Sequence, residues 1–198
     1  TYKPEDYLAE ALRRDPGDMR SNHLMGLILT ERADYDNAAK YLEKAVGRLK
    51  MRNDNPFDTQ PVYDLARLEK LRGNTDRAYD LFYDATWQYP LRSAAFYELA
   101  KLDAARGDYA KAVEELKLCL ETNTKQVGAL TMLGYLTDSK LIDKALEIIP
   151  LDATARFAKY LKSGGEVGEY ILNRPEDVLD AALDFESFGL AGEAKRIL

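Results

Sequence analysis

Residues 99–119 read LAKLDAARGDYAKAVEELKLC. Small and large apolar side chains recur at helical spacing on both sides of Gly107-Asp108-Tyr109, without the alternation typical of strands. This pattern predicts two amphipathic helices joined by a tight turn. Gly107 supplies the left-handed backbone conformation that ends the first of the two helices.

The same small residues return at a fixed distance along the chain. The pairs separated by 34 positions are Ala11/Ala45, Ala66/Ala100, Gly73/Gly107, Ala78/Ala112 and Ala100/Gly134. A helix-turn-helix unit of this length cannot bury its apolar face alone. The sequence therefore predicts that consecutive units stack into a solenoid.

The small residues have a mechanical reason. Where two helices cross closely, only Gly, Ala or Cys lets the backbones approach, and a neighbouring Leu or Phe fills the groove. We therefore predict that helix pairs meet at three places, which are Gly26/Ala38, Ala66/Ala78 and Ala100/Ala112.

The two best-preserved units carry a resemblance to a known family. One reads Leu65-Ala66, Gly73-Asn74-Thr75, Ala78, Phe82, Ala85, and the next reads Leu99-Ala100, Gly107-Asp108-Tyr109, Ala112, Leu116, Cys119. This pattern resembles the tetratricopeptide repeat (TPR) family, whose closing Pro is matched by Pro16 and Pro90 but replaced by Lys50 and Thr124. The resemblance implies an all-α, right-handed superhelical α-solenoid with about ten or eleven helices.

The register divides the whole chain, residues 1–198, into one TPR-type solenoid. The predicted parts are the second helix of an interrupted repeat (1–18), a repeat (19–52), an insertion loop (53–61), two repeats (62–90 and 91–125), a shortened repeat (126–150), an irregular helix pair (151–175) and a partial terminal repeat (176–198). The insertion follows from a spacing of 40 between Ala45 and Ala85, and Pro61 suits the first turn of the next helix.

A closer resemblance covers residues 55–198. The runs Asn55-Pro56-Phe57-Asp58, Phe82-Tyr83-Asp84-Ala85-Thr86-Trp87 and Pro150-Leu151-Asp152 resemble the C-terminal TPR region of large bacterial proteins with an N-terminal β-rich domain of unknown function. That upstream domain is suspected of handling carbohydrate. The resemblance implies no catalytic residue within this segment.

Composition restricts the classes of partner. The 28 Lys and Arg against 34 Asp and Glu give a net charge of −6, and no quarter of the chain is basic, so we expect no nucleic-acid partner. No apolar run approaches the ~20 residues of a membrane-spanning helix, so we expect a soluble chain without membrane contact and favour the cytoplasm. Cys119 is the one cysteine and cannot close an internal disulfide.

Candidate chemistry is sparse. His23 is the one histidine, so a Ser-His-Asp or Cys-His arrangement would need it, and a zinc site would have to combine His23 with Cys119 and carboxylates. The register places Cys119 at a buried small-residue position, far along the stack from His23. Residues 164–168, which carry three of the glycines, read as an interhelical loop, and the acidic pairs Glu114-Glu115 and Glu176-Asp177 as solvated helix faces. We therefore expect no enzyme activity, metal or cofactor.

The TPR resemblance implies that the first helix of each repeat, helix A, lines the concave side. Its inward positions hold His23, Tyr63 and Tyr97, followed one turn later by Arg67 and Lys101, with Tyr135 in the fourth unit. Aligned tyrosines and cations would suit an extended peptide with aromatic or acidic side chains. Alternatively, the tyrosines pack neighbouring helices and the cations are solvated.

These observations favour a non-catalytic protein-interaction or intramolecular scaffold module, whose partner is a protein, a peptide or an adjoining domain of the same chain. Two alternatives stay open, namely an accessory region that positions a carbohydrate-active enzyme and an aromatic groove that binds a saccharide. Both termini interrupt a repeat, so Leu179, Leu183 and Phe185 are expected to be partly unprotected. Weak end-to-end self-association, or completion of the stack by an adjoining segment, would follow.

The predicted register can be tested by overpacking a seam. Replacing Ala78 or Ala112 with Leu inserts a larger side chain where two helices meet, so the free energy of unfolding should fall by roughly 1–3 kcal/mol. Thermal melting of each variant measures the effect. Unchanged melting in both variants would show that the register is wrong.

Overall fold

The computed structural model describes residues 3–51 and 58–198, so most of the predicted insertion loop lies outside the described residues. The described chain is all-helical, with thirteen helices and no strand. It forms two compact units, Thr1–Leu91 and Arg92–Leu198. Within the described residues no helix combines the length and apolarity needed to cross a membrane.

The first unit contains five helices. They are α1 (Pro4–Arg14), α2 (Met19–Glu31), α3 (Tyr35–Lys50), α4 (Gln60–Leu71) and α5 (Thr75–Ala85). Helix α2 pairs with α3 and α4 pairs with α5, while α3 also contacts α4 and α1 contacts α2. Pro61 lies in the first turn of α4, as predicted.

The second unit contains the other helices, of which the first begins just before the boundary. They are α6 (Tyr89–Ala105), α7 (Tyr109–Thr122), α8 (Val127–Leu136), α9 (Lys140–Ile148), α10 (Ala153–Ser163), α11 (Glu169–Leu172), α12 (Pro175–Ser187) and α13 (Ala191–Ile197). The helix count exceeds the predicted ten or eleven because short helices such as α11, with 4 residues, and α13, with 7, are separate elements.

The small residues at the predicted seams are buried. Ala38, Ala66, Ala78, Ala100 and Ala112 are all fully buried. At Gly26 a Cβ atom would lie 2.6 Å from the Cγ of Leu42 and 3.3 Å from its backbone nitrogen, and at Gly134 one would lie 2.8 Å from the nitrogen of Ile142. These glycines are therefore required by close helix packing. For Gly26 the closest neighbour is Leu42, one turn beyond the expected Ala38.

The turns between paired helices follow the predicted chemistry. Gly73 and Gly107 have φ values of 79° and 84°, which confirms the left-handed conformation after helix A. Ala33 takes the same position before α3 with φ 58°, the one non-glycine residue with positive φ among those described. Asp34 and Asp108 then cap the following helices, because their side chains accept hydrogen bonds from the backbone nitrogens of Asn37 and Lys111.

Two buried acidic residues that were not predicted from the sequence reinforce these turns. Glu69 and Asp103 are separated by one repeat length and lie near the ends of α4 and α6. A Glu69 oxygen lies 2.8 Å from Nη1 of Arg72, and the Asp103 carboxylate lies 3.2 Å from Nζ of Lys111 on α7. Glu69 also accepts a hydrogen bond at 2.6 Å from Nδ2 of Asn74, which precedes α5. Buried carboxylates need such partners, and the contacts with Asn74 and Lys111 hold the start of helix B against the end of helix A.

The expectation for one acidic residue was wrong. Glu115 is buried rather than solvated, because it lies three residues after Ala112 on the buried face of α7, whereas Glu114 is exposed. The predicted loop between α10 and α11 is confirmed, with Gly164, Gly165 and Gly168 all at positive φ.

The left-handed backbone conformation of Ala33 and Gly73 leads to a prediction about stability. Ala33→Gly should raise the free energy of unfolding by about 0.5–1 kcal/mol, because glycine adopts φ 58° without a Cβ penalty. Gly73→Ala, with φ 79° and no atom within 4 Å of the new Cβ, should lower stability by a similar amount. Urea unfolding measures both variants. A destabilised Ala33→Gly chain would contradict the role assigned to this position.

Candidate functional site

In the first unit a cleft lies between the two A helices α2 and α4, and we refer to it as the α2/α4 cleft. It has a volume of about 390 Å³. The side chains that line it are His23, Leu27, Thr30, Glu31, Gln60, Asp64, Arg67 and Leu71.

The polar centre of this cleft is Asp64. Nε2 of His23 lies 2.8 Å from Oδ2 of Asp64, and Nε2 of Gln60 donates to the same oxygen at 3.1 Å. The Asp64 side chain is only 6% exposed, so its carboxylate depends on these partners for stabilisation. The contact joins α2 to α4 and holds the His23 ring in the cleft wall.

Arg67 has a different environment from the other polar residues of the cleft. Its side chain is 63% exposed, and its Nη1 lies 3.9 Å from Oδ1 of Asp64, which is too long for a hydrogen bond. The guanidinium is therefore largely solvated at the mouth of the cleft, with its donors accessible to a ligand.

Tyr63 neighbours Asp64 in sequence but does not line the cleft. Its ring packs edge-on against Phe82 of α5, with ring centroids 5.4 Å apart. This contact connects helix A with helix B of the same repeat. The contact fits the packing alternative, and ligand binding by Tyr63 stays a prediction.

In the second unit Tyr97 is enclosed by protein groups. Its ring centroid lies 5.6 Å from that of Phe188, and Nζ of Lys101 lies 4.5 Å from the Tyr97 centroid. A Cβ atom on Gly128 would lie 2.5 Å from the Tyr97 hydroxyl, so that glycine makes room for it. Burial, with a further contribution from Asp184, raises the pKa of Tyr97 well above its usual value.

Lys101 follows Arg67 by one repeat but lies in a different environment. Its side chain is only 15% exposed, and its ammonium lies 3.5 Å from a carboxylate oxygen of Glu98 as well as over the Tyr97 ring. A cation held by a carboxylate and an aromatic face is less available to a ligand than the solvated guanidinium of Arg67.

Tyr135 is also engaged within the second unit. Its hydroxyl donates to Oε1 of Glu193 at 3.2 Å, and its ring packs edge-on against Phe185 with centroids 5.1 Å apart. Burial, followed by the negative charge of Glu193, raises the pKa of Tyr135 to about 12.

Phe185, Phe188 and Glu193 belong to α12, α13 and the turn between them, which we call the C-terminal hairpin. Gly189 in this turn approaches α6 so closely that a Cβ would lie 2.8 Å from the carbonyl oxygen of Ala104, and Tyr109 donates to the Gly189 carbonyl at 3.5 Å. The C-terminal hairpin therefore covers the inward positions of α6 and α8.

This packing corrects the expectation for the last repeat. Phe185 was expected to be partly unprotected but is fully buried, because it faces Tyr135. Leu179 and Leu183 on α12 are about half exposed, as expected. The terminal repeat thus contacts A helices well before its neighbour in sequence, whereas repeats in a simple solenoid contact only adjacent units.

The six residues predicted for one ligand surface therefore have separate environments. His23 and Arg67 share the α2/α4 cleft, Tyr63 packs on Phe82, and Tyr97, Lys101 and Tyr135 lie in the second unit. Gln60 and Asp64 also line the cleft and were not predicted from the sequence. Their spacing with Arg67, at positions i, i+4 and i+7 of one helix face, was the available signal.

Cys119 occupies the buried position predicted for it. Its sulfur lies 3.2 Å from Oγ of Ser93, and burial raises the pKa of the thiol, which favours the unreactive protonated form. Across residues 3–51 and 58–198, no group of three His, Cys, Asp or Glu side chains is arranged to hold a metal ion.

The His23–Asp64 contact predicts a stability effect. Asp64→Ala removes the oxygen that Nε2 of His23 and Nε2 of Gln60 contact, so the free energy of unfolding should fall by about 1–3 kcal/mol. Asp80→Ala on the exposed face of α5 is the matched control and should change it by less than about 0.5 kcal/mol. Urea unfolding measures the free energy of unfolding of both variants. Equal changes in the two would show that the His23–Asp64 contact does not contribute to stability.

No protein-family model matches the chain. Solved structures do resemble it. A tetratricopeptide repeat protein from Parabacteroides merdae is 17% identical, with a TM-score of 0.62 over 98% of this chain and 89% of that one. PilF of Pseudomonas aeruginosa is 18% identical, with a TM-score of 0.59 over 96% and 78%. YrrB, described as a TPR protein with an unusual peptide-binding site, is 15% identical, with a TM-score of 0.53 over 96% and 88%. The chain therefore has the fold of tetratricopeptide repeat proteins.

Proposed function

We propose that the chain is a non-catalytic protein-interaction module that binds an extended peptide segment in the α2/α4 cleft. The observation that carries the proposal is the cleft itself, which is lined by two successive A helices and has a solvated cation at its mouth. The segment belongs to a separate protein or to an adjoining domain of the same polypeptide.

The fold supports this proposal. A helices present inward faces at a regular distance from one repeat to the next, which suits a ligand in extended conformation. YrrB, which has the same fold, is described as having a peptide-binding site.

The side chains that line the cleft determine which peptides we expect to bind. Arg67 offers a solvated guanidinium that can bind a carboxylate in bidentate geometry, so an Asp or Glu side chain is the expected anchor. Leu27 and the half-exposed Leu71 provide an apolar surface beside it. His23 and Gln60 are held by Asp64 and so present a fixed wall rather than flexible side chains.

The proposal assigns a structural role to the inward residues of the second unit. Tyr97, Lys101 and Tyr135 contact Phe188, Glu98 and the C-terminal hairpin, and in this proposal they hold that hairpin rather than a ligand. A saccharide would need open aromatic faces on which to stack. The rings of Tyr97 and Tyr135 are engaged by Phe188 and Phe185, so we do not propose saccharide binding at these tyrosines.

Selection from a phage-displayed library of random linear peptides tests the proposal, with affinities of the enriched peptides measured by fluorescence anisotropy. Peptides with an acidic residue should be enriched. Arg67→Glu should weaken their binding about tenfold or more, because attraction becomes repulsion at the mouth of the cleft. Binding to the wild-type chain should also weaken as the salt concentration rises.

Arg48→Glu is the matched control, because it makes the same charge change at an exposed arginine of α3 outside the cleft. It should bind the selected peptides like the wild-type chain. Equal affinity of the Arg67→Glu and wild-type chains, or failure to enrich any peptide, would contradict the proposed site.

A further inference from the structure

Residues 164–168, which we call the glycine linker, join α10 to α11, and α11 leads into the C-terminal hairpin. Gly164, Gly165 and Gly168 have φ values of 76°, 119° and 102°, which side-chain-bearing residues rarely adopt. A Cβ at any of the three would meet no atom within 4 Å, so alanine there would strain the backbone without causing a side-chain clash. Helix α11, which follows the linker, has only 4 residues.

The surface under the hairpin is specific for it. Phe185 and Phe188 are fully buried against Tyr135 and Tyr97, Glu193 accepts from the Tyr135 hydroxyl, and the Gly189 backbone contacts Ala104. On α10, the Thr154 hydroxyl donates to Asp184 at 2.8 Å. Opening the hairpin would expose two phenylalanine rings to water and break these hydrogen bonds. An open form is therefore stable only if an occupant of the vacated surface replaces these apolar contacts and hydrogen bonds.

We propose that this occupant is a second copy of the chain, and that two copies exchange their C-terminal hairpins. Phe185 and Phe188 in the hairpin of each copy would pack against Tyr135 and Tyr97 of the other copy. The interactions broken on opening form again in the dimer, because the two hairpins are identical. The balance between monomer and dimer is then set by the glycine linker and by the protein concentration.

The linker gives the proposal a specific test. Alanine is strained at the φ values that Gly164 and Gly165 adopt in the closed chain, and an extended linker in the dimer would release this strain. The double variant Gly164→Ala, Gly165→Ala should therefore raise the dimer fraction several-fold over that of the wild-type chain. Size-exclusion chromatography with light scattering, across a wide range of concentrations, measures this fraction.

The control for strain is Gly73→Ala. Gly73 has a comparable φ of 79°, also with no atom within 4 Å of a new Cβ, but it lies in the α4–α5 turn. This variant should lose stability without gaining dimer. An equal gain of dimer in Gly73→Ala would overturn the proposal, because general destabilisation would then explain association.

A second control separates hairpin exchange from end-to-end contact through the half-exposed leucines of α12. Leu179→Glu with Leu183→Glu would abolish association through that face but leave exchange intact. Energy transfer between two batches labelled with different fluorophores at the N-terminus should rise slowly after mixing, because exchange requires the hairpin to open. Strictly monomeric wild-type and linker variants, or a dimer that disappears in the leucine variant, would overturn the proposal.

Discussion

Close helix packing at residues without bulky side chains underlies the other features of the molecule. A Cβ on Gly26 would lie 2.6 Å from Cγ of Leu42, and one on Gly134 would lie 2.8 Å from the backbone nitrogen of Ile142, so neither site has room for a side chain. The fully buried alanines of α3 to α7 occupy comparable positions. Because paired helices pack this closely, their inward faces are held firmly enough to support either a ligand or another helix.

Equivalent repeat positions have acquired different roles on this scaffold. Arg67 is mostly solvated beside a buried carboxylate, whereas Lys101, one repeat later, is enclosed by Glu98 and the face of Tyr97. The repeat register determines which helix face carries each side chain, but it does not determine which other residues pack over that face. A cation at an inward TPR position is therefore evidence for a binding surface only when no other part of the chain occupies that surface.

The buried carboxylates show how a helical repeat joins its elements with charge. Glu69 and Asp103 lie at the ends of their A helices and pair with cations near the turn, so they reinforce contacts that are local in sequence. Asp64 instead joins α4 to His23 of the preceding repeat. The first arrangement stabilises a single repeat, and the second sets the shape of the cleft between two repeats.

Features that depend on nearby residues could be predicted from the amino-acid sequence alone. The repeat length, the glycine turns at Gly73 and Gly107 and the burial of Cys119 follow from helical periodicity and local backbone preference. The register also placed His23 and Arg67 on A helices, and ligand binding by these residues stays a prediction. The pairing of His23 with Asp64, 41 positions away, and of Tyr109 with Gly189, 80 positions away, became visible only in the folded chain. Such contacts depend on the small rotation of each repeat relative to the previous one. These rotations add up over several repeats, so no single stretch of sequence determines the result.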